Sequence, residues 1–325
     1  MNLSHDVACA HEMNELVNPA HRLVMSTMYS AAALVTTVLN FLILISIWKT
    51  PSLHKPSYIL IGNLVLSDLL VGAIGEPLMV IYNIAALKRW SLKNFCLSLK
   101  SARGVVYALG SVSLFTLTVV SLDRLLAVKL RNRYQNVVTK KGVLYILLTW
   151  WIIACVASAT VFGKLSWNSE TSSALILFVG TVVFILVLTI TVCYSMAFYS
   201  LRKITSSSVS PSVQNAEGAV LPSSNIDVAK YRKSLLTMFV VYMFTIIVYL
   251  PFSCILMVAS VSNYYKSKLS SPAPRRTAGV TIFISISAAE FFSLLNSAMN
   301  SLVYLWRIRE IREAVKTTIK HLPWT

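Results

Sequence analysis

The segment Leu114-Phe115-Thr116-Leu117-Thr118-Val119-Val120-Ser121-Leu122-Asp123-Arg124-Leu125-Leu126-Ala127-Val128 carries charge at one place only, the adjacent pair Asp123-Arg124. A basic stretch comes next, Lys129-Leu130-Arg131-Asn132-Arg133-Tyr134. Two opposite charges at the end of a membrane-length apolar run are costly to place there. The cost argues for a role, with the pair held at a membrane surface where a soluble partner reaches it.

The whole chain has that apolar character. Of its 325 residues, 56% are hydrophobic and only 13% charged, against roughly 25% charged in an ordinary soluble domain. The mean hydropathy is +0.68. These values indicate an integral membrane protein, and the lengths of its apolar runs an all-α one. Seven apolar runs, at 23–48, 57–86, 97–128, 143–163, 174–201, 232–262 and 278–305, are each long enough to cross a hydrocarbon core of ~30 Å at about 20 residues per crossing. The expected organisation is an extracellular N-terminus over 1–22, a seven-span domain over 23–305, a flexible third cytoplasmic loop over 202–231, and a cytoplasmic tail over 306–325. No apolar stretch precedes the first run, so no cleavable signal peptide is expected.

The formal net charge is +17, but its placement excludes nucleic acid as the expected partner. With the N-terminus outside, nine Lys and Arg fall in outer segments and seventeen in inner ones. That excess supports an inside C-terminus. After the seventh run, Ile308, Ile311, Val315, Ile319 and Leu322 recur at spacings of three and four among Arg, Lys and Glu. This is the pattern of an amphipathic eighth helix lying on the inner leaflet of the bilayer. Cys155, Cys193 and Cys254 lie inside apolar runs, as small packing residues do. Cys9 and Cys96 fall in polar segments and, if both lie outside the cell, are able to pair. Asn2-Leu3-Ser4 matches the glycosylation sequon. No Cys/His spacing suggests a metal site, and no run presents a nucleophile–base set or a phosphate loop, so no enzyme is expected.

The ordered motifs resemble rhodopsin-like G-protein-coupled receptors from about Val38 to Lys316. They are Asn40 in the first run; Asn63-Leu64-Val65-Leu66-Ser67-Asp68-Leu69 and Pro77 in the second; Trp90 in the first outer loop; Asp123-Arg124-Leu125 in the third; Trp150 or Trp151 in the fourth; Tyr194 in the fifth; Pro251 in the sixth; and Asn296 with Asn300-Ser301-Leu302-Val303-Tyr304 in the seventh. Ser301 replaces the proline of the last motif, and Tyr249 stands where the family usually has Trp. A short second outer loop without cysteine, a fifth span without proline and the early position of Cys96 leave the family's usual disulfide unable to form. These departures resemble the melanocortin, cannabinoid and lysolipid receptor group.

The resemblance implies binding of an extracellular ligand and coupling to a heterotrimeric G protein. In that scheme Asp123 holds Arg124 at rest, Arg124 meets the G protein on activation, and Tyr194, Asn300 and Tyr304 support the active arrangement. Asn40, Asp68, Ser113, Asn296 and Asn300 occupy positions that ring an allosteric sodium ion, with no other cofactor implied. Glu76, Arg103, Val106, Tyr249 and Glu290 fall at pocket positions and suit a charged or zwitterionic ligand. Mutual charge pairing of Glu76, Arg103 and Glu290, with no ligand role, is the alternative there. Val106 stands where aminergic receptors carry Asp. A transporter and a seven-span binding protein that no longer signals are the rival expectations.

Overall fold

The computed structural model describes residues 19–130, 133–160, 169–208, 224–268 and 275–320. Among them the chain forms seven long helices and a 12-residue eighth, α1 (Pro19–Lys49), α2 (Pro56–Leu87), α3 (Leu92–Leu130), α4 (Lys140–Ala159), α5 (Ser169–Ser208), α6 (Ser224–Lys268), α7 (Arg275–Arg307) and α8 (Arg309–Lys320), besides single turns at Pro51–Leu53 and Tyr134–Val137. Stretches of α1 to α6 are long and apolar enough to span a membrane. α7 has 33 residues, a length of ~50 Å at 1.5 Å per residue.

The bundle is apolar outside and polar within. Leu34, Trp48, Ile152, Tyr199 and Ile247 face outward and are exposed, while Thr36, Asn40, Ser46, Ser67, Asp68, Glu76 and Ser121 are buried. In water this arrangement would be unstable; in lipid it is required, because inward polar groups have only other helices to bond with. α3 is the axis. It packs against α2, α4 and α5, and α6 leans mainly on α5. One apolar core centres on Leu64, Leu114, Tyr194 and Tyr304 towards the Asp123 end; the other centres on Tyr29, Met79, Phe95 and Leu294 towards the opposite end.

α2 is not regular. Val71–Gly75 forms a π turn, followed by Glu76 and Pro77. Proline has no N–H to donate, and its ring crowds the carbonyl four residues back, so the helix widens by one residue instead of breaking. The turn brings Glu76 to the buried side. Here α1 and α2 are as close as backbones allow. A Cβ on Gly72 would stand 2.8 Å from both Thr36 Cβ and the Thr37 amide nitrogen. α8 is tied back to α1 by the Ser46 hydroxyl, which donates to Thr318 Oγ1 at 3.0 Å.

Two boundaries differ from the sequence reading. α1 begins at Pro19, so Arg22 belongs to the first helix and not to a polar N-terminal segment. Pro19 suits a first helical turn, where its missing N–H would be unpaired in any case. The connection expected over 202–231 is shorter, because α5 continues to Ser208 and α6 starts at Ser224. Helix hydrogen bonds are internal to the segment, so loss of apolar character does not itself end a helix whose neighbour supports it.

The Gly72 contact gives a direct test. Gly72→Ala forces α1 and α2 apart, an overpacking cost of roughly 1–3 kcal/mol, and lowers the melting temperature of detergent-purified protein by several degrees. Gly110→Ala, where nothing lies within 4 Å, leaves the melting temperature unchanged or slightly raised. Equal melting of the two variants would refute the close approach.

Candidate functional site

At one end of the bundle Asp123 is a hub. Its Oδ2 pairs with Arg124 Nη2 at 2.7 Å and accepts from Ser57 Oγ at 3.0 Å. Its Oδ1 accepts from the Tyr134 hydroxyl, which lies 3.2 Å from Ser57 Oγ. Ser57 stands in the first turn of α2; Tyr134 opens a one-turn helix, Tyr134–Val137, between α3 and α4. Burial first, and the bond to Asp123 second, push the Tyr134 hydroxyl up to about 12. It stays protonated at physiological pH and remains a donor. The Asp123 carboxyl, 3% exposed, thus has three donors around it, and charge-assisted hydrogen bonds of the kind Arg124 makes are the stronger ones.

Arg124 opens onto a cavity of about 790 Å³ between the α1–α2 connection, the Tyr134 turn and the start of α8, with Lys55, Lys140, Arg307 and Glu310 on its wall. Tyr194 and Tyr304 are buried nearby. Tyr194 stacks on Tyr242 with centroids 4.9 Å apart and lies within electrostatic reach of Arg124, Asp123 and Tyr304. The α3 pair, Tyr194 and Tyr304 therefore share one region. Asn300 does not join them and bonds instead to the polar core.

That core is built on Asp68, which is fully buried. Oδ1 accepts from Ser113 Oγ at 3.1 Å and from Ser297 Oγ at 2.8 Å; Oδ2 accepts from Asn300 Nδ2 at 3.1 Å. Asn40 is one step removed. Its Nδ2 donates to the Thr36 carbonyl at 2.8 Å and, at 3.4 Å, to the Ser297 carbonyl, while its Oδ1 accepts from Ser301 Oγ at 2.6 Å. Ser301, which stands where proline is usual, thus ties α7 to α1. Asn296 is buried, and neither of its amide atoms has a hydrogen-bond partner. Asn300 Oδ1 is also buried and unpartnered. The carboxylate, the two hydroxyls and the spare Asn300 Oδ1 are oxygen ligands of the kind that suits a hard monovalent cation. Beside the core, Trp151 Nε1 donates to Asn63 Oδ1 at 2.9 Å, whereas Trp150 bonds the Ser111 carbonyl and stacks on Phe115. Trp151 is therefore the α4 tryptophan that meets α2.

At the opposite end Arg103 and Glu290 pair at 3.3 Å, and Tyr107 donates to Glu290 at 2.6 Å. Arg103 and Glu290 are thus charge-paired with each other in this structure. Glu76 is buried and accepts from Thr36 at 3.4 Å. Val106 is buried 3.3 Å from where a Cβ on Gly75 would stand. Tyr249 is buried edge-on to Phe252. Cys96 is disulfide-bonded, whereas Cys155, Cys193 and Cys254 are free. Cys9 and Asn2 lie outside the described residues.

The sequence reading missed four participants. Ser57, Tyr134 and Ser297 are common residues whose partners are distant in the chain. Arg22, counted as a loop residue, is buried with its guanidinium over the Tyr82 ring (4.7 Å) and the Phe283 ring (5.2 Å). A signal for it existed in Arg22, Ser26 and Tyr29, polar residues at i, i+4 and i+7 on one helical face.

Residues 39–304 match the family described as "7 transmembrane receptor (rhodopsin family)". The sphingosine 1-phosphate receptor 1 of Danio rerio is 27% identical over 289 residues, 85% of this chain and 72% of that protein. Melanopsin of Branchiostoma belcheri is 31% identical over 40% of this chain and 18% of its own length, and the 5-hydroxytryptamine receptor 1E of Homo sapiens 28% identical over 52% and 45%. Both of these matches span less than half of the relative.

The α1–α7 tie can be tested alone. Ser301→Ala leaves buried Asn40 Oδ1 without its donor, at a cost of roughly 1–3 kcal/mol, and lowers the melting temperature of the purified chain. Ser301→Thr retains the hydroxyl and most of the stability. If Ser301→Ala melts like wild type, the bond does not contribute.

Proposed function

Since this chain belongs to the rhodopsin family of seven-transmembrane receptors, and is a G-protein-coupled receptor and not an enzyme, we propose that it sits in the plasma membrane with its N-terminus outside. On this reading it relays binding of an external charged or zwitterionic ligand to a heterotrimeric G protein. The single observation that carries the reading is the clamp on Asp123. Arg124, Ser57 and Tyr134 converge on one carboxylate at the mouth of a cavity walled by Lys55, Lys140 and Arg307. That end lies on the side where the basic loops concentrate, which is the cytoplasmic side by charge placement.

In the mechanism we infer, the resting receptor keeps Arg124 folded against Asp123. Opening of the bundle frees the guanidinium to meet carbonyls or a carboxyl terminus of the G protein. Ser57 and Tyr134 hold the Asp123 carboxylate in place from two other segments and so favour the resting state. A ligand shifts the equilibrium by binding the open arrangement more tightly.

The polar core supplies a second bias. Asp68, Ser113, Ser297 and Asn300, with the spare oxygen of Asn296 nearby in α7, are the residues that would hold a sodium ion, whose charge neutralises a buried carboxylate. Held there, such an ion would favour the resting packing of α2, α3 and α7 around Asp68.

At the outer end Arg103, Glu290 and Glu76 offer both signs of charge. Val106 supplies no carboxylate, so an amine held at that position is not the ligand proposed here. The sphingosine 1-phosphate receptor 1 of Danio rerio, one of the relatives matched above, is named for a phosphate-bearing amphiphile, in keeping with a ligand of mixed charge.

Two experiments test this reading. In cells with a G-protein activation sensor and matched surface expression, Tyr134→Phe removes one charged hydrogen bond worth about 1.5 kcal/mol. It raises basal signalling several-fold, and Arg124→Ala abolishes both basal and ligand-driven signal. A receptor that activates no G protein under any tethered or screened ligand is instead a binding protein. Separately, replacing potassium with sodium lowers basal signalling of the wild type and leaves Asp68→Asn indifferent; equal sodium response in both would remove the ion from the mechanism.

A further inference from the structure

The face of α1 opposite the lipid carries a polar stripe that the Asp68 core does not use. Arg22, Ser26 and Tyr29 stand one above another over ~10 Å of helix. They are 2%, 7% and 1% exposed. Arg22 Nε, Ser26 Oγ and Tyr29 Oη have no hydrogen-bond partner. The neighbours do not meet the demand. Arg22 Nη1 reaches Asn83 Oδ1 only at 3.4 Å, and its guanidinium otherwise rests on the Tyr82 and Phe283 rings. Aromatic faces favour a cation but accept no N–H in its plane. Among the described residues no carboxylate pairs with it: Glu290 is engaged by Arg103 and Tyr107, and Glu76 by Thr36.

A buried cation without a counter-charge is costly unless something completes it. All three unpartnered atoms can donate, so the missing group is an acceptor bearing negative charge. We infer that Arg22, with the Ser26 and Tyr29 hydroxyls, is the recognition site for an oxyanion, a phosphate ester or carboxylate, on the external ligand. The inference rests on the proposal that this end of the bundle receives that ligand. The stripe continues inward. Tyr29 lies within electrostatic reach of Glu290, Tyr82, Arg103 and Glu76, and Glu76 Oε2 has no hydrogen-bond partner. A cation stands outermost and a carboxylate deeper, so a ligand of mixed charge enters with its donor or cationic group first and seats its oxyanion last, on Arg22.

The test uses the full chain purified in a neutral detergent, with thermal unfolding as the readout. The lipid-borne probes are hexadecyl phosphate and palmitate; phenyl phosphate and benzoate carry the same groups without a long tail; hexadecanol is the uncharged control. At least one oxyanion probe raises the melting temperature saturably, and hexadecanol does not. Arg22→Gln weakens that apparent affinity at least about tenfold, as expected for loss of a charged hydrogen-bonded contact. Tyr29→Phe and Ser26→Ala each weaken it roughly threefold, as for a neutral hydrogen bond, and report even if Arg22→Gln does not fold. No saturable shift with any oxyanion probe, or affinities unchanged across these variants, overturns the inference. A chain that binds the probe through Arg22 yet activates no G protein keeps the inference and defeats the signalling reading. An activating ligand indifferent to Arg22→Gln does the reverse.

Discussion

A carboxylate in the middle of a bilayer has no water to solvate it, so Asp68 must find its donors on other helices. It is fully buried and takes hydrogen bonds from Ser113 on α3 and from Ser297 and Asn300 on α7. The same α7 turn reaches α1 through Ser301 and Asn40. Four helices are therefore joined by polar side chains where lipid offers no hydrophobic driving force to hold apolar ones together. Many of the apolar residues that dominate the composition face outward, and their packing against lipid does not specify which helix meets which. The buried polar set does. The π turn in α2 belongs to this set, because it buries Glu76 beneath Thr36.

The two ends of the bundle solve the burial problem in opposite ways. At the Asp123 end one carboxylate has three donors, so its charge is fully committed. At the other end Arg22, Ser26, Tyr29 and Glu76 keep polar atoms uncommitted. A closed polar cluster resists change until something competes for its members; an open one is completed by binding. Between them lie the Asp68 core and the buried tyrosines Tyr194, Tyr249 and Tyr304. On the reading proposed above, that layout makes a two-state bundle, in which binding at the open end is opposed by the clamp at the closed one.

The sequence disclosed the spans through apolar length, and it disclosed the cores through charges that have no business inside such spans. Asp68, Asp123 and Arg124 stood out for that reason, and Ser113 and Asn300 lie with Asp68 as expected. Hidden were contacts whose partners are far apart in the chain and chemically ordinary. Ser57 and Asp123 are 66 residues apart, and Ser301 and Asn40 261 apart. A serine in a span is too common to signal its partner. Tyr134 was hidden by its place in a connection between helices. Arg22 was hidden because a basic residue at a helix end normally snorkels to the interface; here two aromatic rings cover it. The early start of α1 and the extensions of α5 and α6 were hidden by the same fact: hydropathy marks where lipid ends, not where a helix does.

In the proposed mechanism, Ser57 and Tyr134 restrain Arg124 through a single carboxylate. A mutant cycle on basal G-protein activation in an Asp123→Asn background tests it most directly. With the negative charge gone, adding Ser57→Ala or Tyr134→Phe should change basal activation no further, although each raises it in wild type. Undiminished, additive increases in the Asp123→Asn background would show that the two hydroxyls act elsewhere and that the clamp is not the restraint.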